Sequence, residues 1–429
     1  MRVTVVGAGP AGLVGGIALA RAGHEVVVVD RDAGPPGPQP WRRKGVMQFH
    51  HPHVFRAMTR NLLRDRLPDV LTAVLAAGVE PHRPDGEPAA ATILRARRET
   101  FERALWRIAR AEPGLAIRHG QADHVLRDGH RVTGVTVNGT TVDADLVVDA
   151  TGRSGRLAAD LRPPAEGGDS GVANASRVYR LRPGAPPGPH NHPLGFVAPY
   201  DRYTLIVFVH DGGTFSPLIL RDRDDRALAT LRHTGAFEAA MAANPATAAW
   251  TARAEPVTPV RVGLNLFNRY RRQPTHLTGL LCVGDSVCAT SPTGGRGVSL
   301  AIASALAMAD IVAATPRDAW APRLDAWCRA HIHPWYRDSV VNDAATVRRW
   351  HGRPADLSGP LAPDLVTLAA EADPAIRPDV VHYTAMLATS ASLAPVEDRA
   401  RRVLSGGWRP SPPDGPDRAQ LLAAIGTWS

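Results

Sequence analysis

The sequence predicts an α/β fold in which a parallel-sheet domain, split in sequence, is interrupted by an inserted mixed β-sheet and followed by C-terminal helices. Three observations predict it. At the start of the chain a short apolar strand, Val3–Val6, runs into a glycine-rich turn and a helix. Far downstream a second apolar strand, Leu280–Val283, runs into Gly284-Asp285 and is followed by a long apolar helix. Between them, two hydrophobic runs joined by a Gly-bearing turn describe a hairpin.

The elements follow in order. Val3–Val6 is almost wholly apolar, as expected for a central parallel strand covered on both faces. Pro10–Ala22 reads as a helix, Glu25–Val29 as the next strand, and Pro35–Pro40 as a Pro/Gly-rich loop. Leu62–Ala77 and Glu99–Ala111 carry helical periodicity. Ala116–Arg118, His124–Leu126, Val132–Val137 and Leu146–Asp149 read as strands. From Leu161 to Pro187 the chain is rich in Pro and Gly, which marks a domain boundary. Tyr203–Val209 and Thr214–Leu220 form the hairpin around Asp211-Gly212-Gly213, and Val257–Leu266 is a further strand. Helical segments dominate from Val298 onward. The expected domains are residues 1–160 with 275–330, the insert 161–274, and a helical region 331–429.

Composition narrows the function. Of 429 residues, 44% are hydrophobic and 21% charged, which excludes disorder as the main state. The formal charge of +9 raises the thought of a nucleic-acid partner. Yet Lys44 is the one lysine, and arginine replaces lysine along the whole chain rather than in a patch. No nucleic acid is therefore expected. Cys282, Cys288 and Cys328 are odd in number and not at ligand spacing, so neither a disulfide framework nor a metal is expected, and a cytoplasmic location is. Gly7, Gly9, Pro10 and Gly12 interrupt the apolar start, which reads as strand and turn rather than leader. Ser299, Ser304 and Asp310 interrupt Val298–Ala314, so that helix is expected to be buried and not a membrane span.

Two segments carry chemistry. In Gly7-Ala8-Gly9-Pro10-Ala11-Gly12, Gly7 permits the tight turn, Gly9 lets backbone approach a pyrophosphate at the helix N-terminus, and Gly12 lets the helix lie close to the sheet. Asp30 ends the next strand, 18 residues after Gly12, where a carboxylate would accept from a ribose 2′-OH and repel a 2′-phosphate. FAD or NAD is thus favoured over NADP. In the second segment a buried strand delivers Asp285 to a turn, followed by Pro292, Gly294, Gly295 and Gly297 and then a helix. Glycines there would let a planar ring lie against backbone, and the helix beyond Gly297 would set partial positive charge beside it.

Together these segments resemble the large family of FAD-dependent oxidoreductases that includes aromatic hydroxylases, epoxidases and flavin-dependent halogenases. The resemblance is carried by Gly7, Gly9 and Gly12, by Gly284, Asp285, Pro292, Gly295 and Gly297, and by Arg98 with Phe101 and Leu105 after it. Arg43–His53 resembles a segment of actinobacterial members. The resemblance implies a Rossmann-like FAD-binding domain in which Asp285 meets the flavin ribityl and the Pro292–Gly297 loop covers the isoalloxazine. The cofactor-binding set it implies is Gly7, Gly9, Ala11, Gly12, Asp30, Arg31, Arg43, Gln48, Arg98, Ala122, Gly152, Asp285, Pro292, Gly295, Arg296, Gly297 and Val298. His51, His53, Pro292 and Gly295 are the expected catalytic positions, with His51 or His53 as proton donor or base.

The implied activity is monooxygenation of a small apolar or aromatic molecule in specialised metabolism, through a flavin C4a-hydroperoxide. The alternatives are a dehydrogenase or reductase without oxygen insertion and a cyclase-type isomerase with non-redox FAD. A single dinucleotide turn leaves NAD(P)H to dock transiently, or a partner flavin reductase to supply electrons. The chain departs from simple aromatic hydroxylases at Thr151, where an acid would precede Gly152, and at Cys288, which stands where a His is common. It lacks the halogenase Trp-x-Trp-x-Ile signature, and Lys44, the one lysine that could relay hypohalous acid, reads as a solvated charge.

Overall fold

The computed structural model describes residues 1–426. A five-stranded parallel sheet forms the base, in the order Leu280–Cys282, Leu146–Asp149, Arg2–Val6, Glu25–Asp30, Leu115–His119. All five strands were expected from their apolar runs. Val5, Val28, Val147 and Leu281 are buried in it, in one core with the helix Pro10–Arg21 and with Val132 and Val135 of the antiparallel strand Arg131–Val137. Pro10–Arg21 lies against Gly297–Ala314. Their closeness has a visible cause: a Cβ on Gly15 would sit 3.2 Å from Met308 Cε and 3.4 Å from Ala305 Cβ. Gly297–Ala314 is long and apolar enough to cross a membrane by length and composition, but Leu300, Ile302, Ala305, Leu306 and Met308 are core residues of this fold.

The inserted sheet, expected to be mixed, is instead antiparallel throughout its pairings, in the order Gly195–Tyr200, Tyr203–Val209, Thr214–Asp222, Val172–Ser176, Arg261–Gly263. The first three of these strands follow one another through tight turns rather than crossovers, which only antiparallel neighbours allow. Gly212 and Gly213 take left-handed φ of 61° and 66° at the predicted hairpin turn. Alternation along Tyr203–Val209 sorts the faces. Leu205 and Val207 join Phe237, Met241 and Trp250 in a core beneath the helices Thr234–Ala243 and Pro245–Thr251, whereas Ile206 and Phe208 face the other way. The C-terminal helix Arg418–Ile425 returns to this core with Leu421 and Ile425. It is tethered by Tyr203 Oη donating to the Pro416 carbonyl at 2.5 Å and by two Arg418–Asp225 hydrogen bonds of 2.7 and 3.0 Å.

Three further expectations are corrected. Leu62–Ala77 is not one helix but two, Ala57–Arg66 and Pro68–Ala76, because Pro68 has no N–H to continue the first and instead opens the second. Val257–Leu266 is a strand only at Arg261–Gly263. Pro259 lacks a ladder donor, and Asn265 turns to φ 53°. Leu161–Pro187, read only as a Pro- and Gly-rich domain boundary, contains the strands Glu166–Asp169, Val172–Ser176 and Tyr179–Leu181. There Gly167 serves close strand approach rather than a turn, since a Cβ would collide with the Asn268 carbonyl.

Candidate functional site

One cavity of about 760 Å³ runs from the first glycine-rich turn, past the Pro292–Gly297 loop, to the free face of the inserted sheet. Every residue of the expected site except Gly12 lines it. Gly12 lies behind the turn, where a Cβ would collide with the Gly7 carbonyl, so it acts through packing as the motif requires. A Cβ on Gly9 would meet nothing within 4 Å, so the backbone there is open for close approach. The helix Pro10–Arg21 begins at Gly9 with no side-chain cap, and Gly297–Ala314 likewise begins uncapped at the wall of the same cavity. Two sets of unsatisfied backbone donors and two positive helix ends thus serve one space, which suits an anionic ligand.

The acidic residues differ. Asp30 is buried and engaged: its Oδ2 accepts from the Ala8 N–H at 2.6 Å and from Arg43 Nη2 at 2.7 Å, and its Oδ1 from the Asp32 N–H at 2.8 Å. Arg43 also donates to Glu102 Oε2 at 2.6 Å and to the Ala8 carbonyl at 3.1 Å, and Arg98 Nε donates to Glu102 Oε1. Arg43 and Arg98 therefore brace the wall as well as line it. Asp285 is the opposite case, since its carboxylate has no hydrogen bond to any described residue. Burial pushes its pKa up, against the pull of Arg98, Arg153 and Arg269. A half-buried acid beside the start of Gly297–Ala314, with its acceptors free, fits a hydroxyl-bearing ligand chain.

The loop after Ser291 is clamped from outside. Arg56 Nε and Nη2 donate to the Gly294 carbonyl at 3.1 and 2.8 Å. Thr293 Oγ1 donates to Asp343 Oδ1 at 2.8 Å, Asn268 Nδ2 to Asp343 Oδ2 at 2.7 Å, and the Ser291 N–H to Asn268 Oδ1 at 2.7 Å. Arg296 is held between Trp335 and Tyr383, 5.2 and 5.1 Å from the ring centroids, and donates to Tyr383 Oη at 2.5 Å. The C-terminal helices thus position this loop. Gly295 serves a different need from the one expected. It sits at φ 62°, and a Cβ would stand 2.6 Å from Val54 Cγ1, so its bare side faces the wall rather than the cavity.

His51 and His53 both line the cavity, and His50 does not. Burial, then Arg261, pushes His51 down to about 4. Burial, then Arg98, holds His53 well below the usual imidazole range. Both are neutral near pH 7. His53 Nδ1 donates to the His51 carbonyl at 2.8 Å, which leaves Nε2 as an acceptor. Lys44 is exposed and outside the lining. Among the described residues no group of three or more His, Cys, Asp or Glu is placed to hold a metal.

Sequence reading missed Arg56, Asn174, Thr293 and Asp343. Only the alternation of the hairpin pointed toward this wall, where Ile206, Phe208, Leu218 and Leu220 lie.

Residues 1–331 match the FAD binding domain family, and the chain belongs to it, with FAD as its cofactor. The fold is that of several solved flavoenzymes. The flavin-dependent brominase Bmp2 is 15% identical, with TM-score 0.64, over 95% of this chain and 98% of that one. PqsL, a probable FAD-dependent monooxygenase from Pseudomonas aeruginosa, is 17% identical, with TM-score 0.60, over 82% and 98%. The anhydrotetracycline hydroxylase OxyS from Streptomyces rimosus is 18% identical, with TM-score 0.62, over 92% and 76%. A curated relative, UDP-glucose 6-dehydrogenase of Rhizobium meliloti (strain 1021), is 33% identical over 109 residues, 23% of this chain. The chain spans about a quarter of that relative's length, 24%.

Proposed function

We propose that the protein is a monooxygenase that places one oxygen atom on a small apolar or aromatic molecule in specialised metabolism. The observation that carries this reading is the continuity of the cavity. The open turn at Gly9 and the acid Asp285 share one space with the apolar face of Ile206, Phe208, Leu218 and Leu220. In this reading residues 1–160 and 275–330 hold FAD, with the uncapped turn at Gly9–Ala11 under the pyrophosphate, Asp285 on the ribityl chain and the Pro292–Gly297 loop over the ring. Residues 161–274 roof the ring, and 331–429 close one side.

Bound and reduced, FAD supplies the activation of dioxygen. The chain's own residues do the rest. The apolar sheet face seats the substrate and excludes water, which would otherwise uncouple reduction from oxygen transfer. His53, neutral and oriented by the His51 carbonyl, offers Nε2 to a substrate proton. The electron source is NAD(P)H docking transiently or a partner flavin reductase. The three cysteines are free and buried, which suits the proposed cytoplasmic location. Lys44, exposed and not among the residues that line the cavity, gives a halogenase relay no support.

The test is mass analysis of product formed under labelled dioxygen. Gain of one labelled oxygen supports monooxygenation. Loss of two hydrogens without label would move the reading to a dehydrogenase, and an isomeric product to a cyclase.

A further inference from the structure

The cavity face of the inserted sheet is hydrocarbon except at one position. Ile206, Phe208, Leu218 and Leu220 line it together with Asn174, and Gly263 adds no side chain. Asn174 belongs to the strand Val172–Ser176 and stands directly opposite Leu220 on one side and Gly263 on the other. It is 4% exposed. Its Oδ1 is buried without a hydrogen-bond partner, and its Nδ2 has none among the described residues. An unpartnered buried amide is destabilising, and an aliphatic side chain at this register position would simply continue the apolar row. The neighbouring strand makes room for it: a Cβ on Gly263 would lie 2.8 Å from both amide heavy atoms. The φ of Gly263 is not left-handed, so backbone conformation does not call for a glycine there. The space for the amide does.

We propose that Asn174 is the specificity-determining residue of this pocket, and that its amide hydrogen-bonds the hydroxyl of an aromatic substrate. This rests on the reading of the cavity as a substrate site. An amide presents one donor end and one acceptor end, and an aromatic hydroxyl can both donate and accept, so it satisfies whichever end faces the cavity. The surrounding apolar wall fits the ring. A hydrocarbon lacking the hydroxyl leaves the amide unpaired, which is the condition under which buried polar groups discriminate most strongly.

The test uses the FAD-loaded protein with two probes, 2-naphthol and naphthalene, and reads binding from perturbation of the oxidised flavin spectrum. The wild type is expected to bind 2-naphthol about tenfold or more tightly than naphthalene, the effect of one buried hydrogen bond. In Asn174→Leu the two affinities are expected to converge within about twofold, chiefly through loss of 2-naphthol binding. Asn174→Ser, which draws the polar group back from the cavity, is expected to lose the discrimination as well and serves if the leucine variant does not retain FAD. Undiminished discrimination in either FAD-loaded variant overturns the proposal, as does a wild type that binds neither probe or both equally. Because binding is read on oxidised flavin, it is independent of oxygen chemistry. Intact discrimination with no labelled oxygen in any product would sink the monooxygenase reading and leave Asn174 in its role.

Discussion

Arg43 Nη1 lies 2.6 Å from Glu102 Oε2 in the interior, across 59 residues of sequence, and the same guanidinium reaches Asp30 Oδ2 at 2.7 Å. One cation therefore joins the segment that begins at Arg43, the strand Glu25–Asp30 and the helix Arg98–Ala111 behind the glycine-rich turn. Burial opposes its charge, but Glu102 and Asp30 outweigh that and hold its pKa above the usual value. Replacing Arg43 by Met leaves Glu102 to Arg98 alone and Asp30 to the Ala8 and Asp32 N–H groups, and a stability loss of about 1.5–3 kcal/mol, the range for hydrogen bonds to a charged group, is expected. Denaturant unfolding of the FAD-loaded protein measures it. A variant as stable as wild type would show that the carboxylates find other partners.

Asp285 offers free acceptors to the cavity. Asp285→Ala is expected to weaken FAD binding by about 1.5–3 kcal/mol, the range for hydrogen bonds to a charged group. Equilibrium titration of the apoprotein with FAD reads this directly, and an unchanged affinity would remove Asp285 from the site.

Gly295 combines a left-handed φ of 62° with contact against Val54. A side chain costs about 1–2 kcal/mol in this conformation and displaces the loop. Gly295→Ala is expected to reduce turnover more than FAD affinity. Gly129, at φ 54° in an exposed turn remote from the cavity lining, is the control. Gly129→Ala carries similar strain and is expected to leave turnover alone. Equal losses in both variants would reduce the effect to general destabilisation.

His210 is 2% exposed, and burial pushes it down to about 4. Its unfolded value is near 6.5, so below that pH the unfolded chain binds a proton that the native chain refuses. The resulting penalty is absent above about pH 6.5, grows as pH falls toward 4, and amounts to up to about 3 kcal/mol for this fully buried group. His51, also pushed down to about 4 by burial, acts in the same direction. Unfolding free energies of wild type and His210→Gln, taken from pH 7.5 to 4, are expected to show a shallower decline in the variant. Parallel curves would mean that His210 titrates alike in both states.

Much of the cavity's framework was legible because it is local. Strand, turn and helix at Val3–Ala22 obey short-range rules, and so does the strand that delivers Asp285. The partners that finish the site were not legible, since each depends on distant pairing. Glu102 meets Arg43, Arg56 meets Gly294 across 238 residues, and Asp343 meets Thr293 across 50. No spacing rule reports such meetings. Gly295 was singled out for the right loop and the wrong reason, because a motif shows that a glycine is needed but not which neighbour forbids a side chain. The break at Pro68 was a local signal that helical periodicity on both sides concealed.

The return of Arg418–Ile425 to the inserted sheet bears on how the chain is made. The hairpin Tyr203–Asp222 leaves the ribosome some two hundred residues before Leu421 and Ile425, which complete the core it shares with Phe237 and Met241. The roof of the cavity therefore cannot finish folding while its strands are being synthesised. It must wait, with apolar surface open to chaperones, until Leu421 and Ile425 have been made.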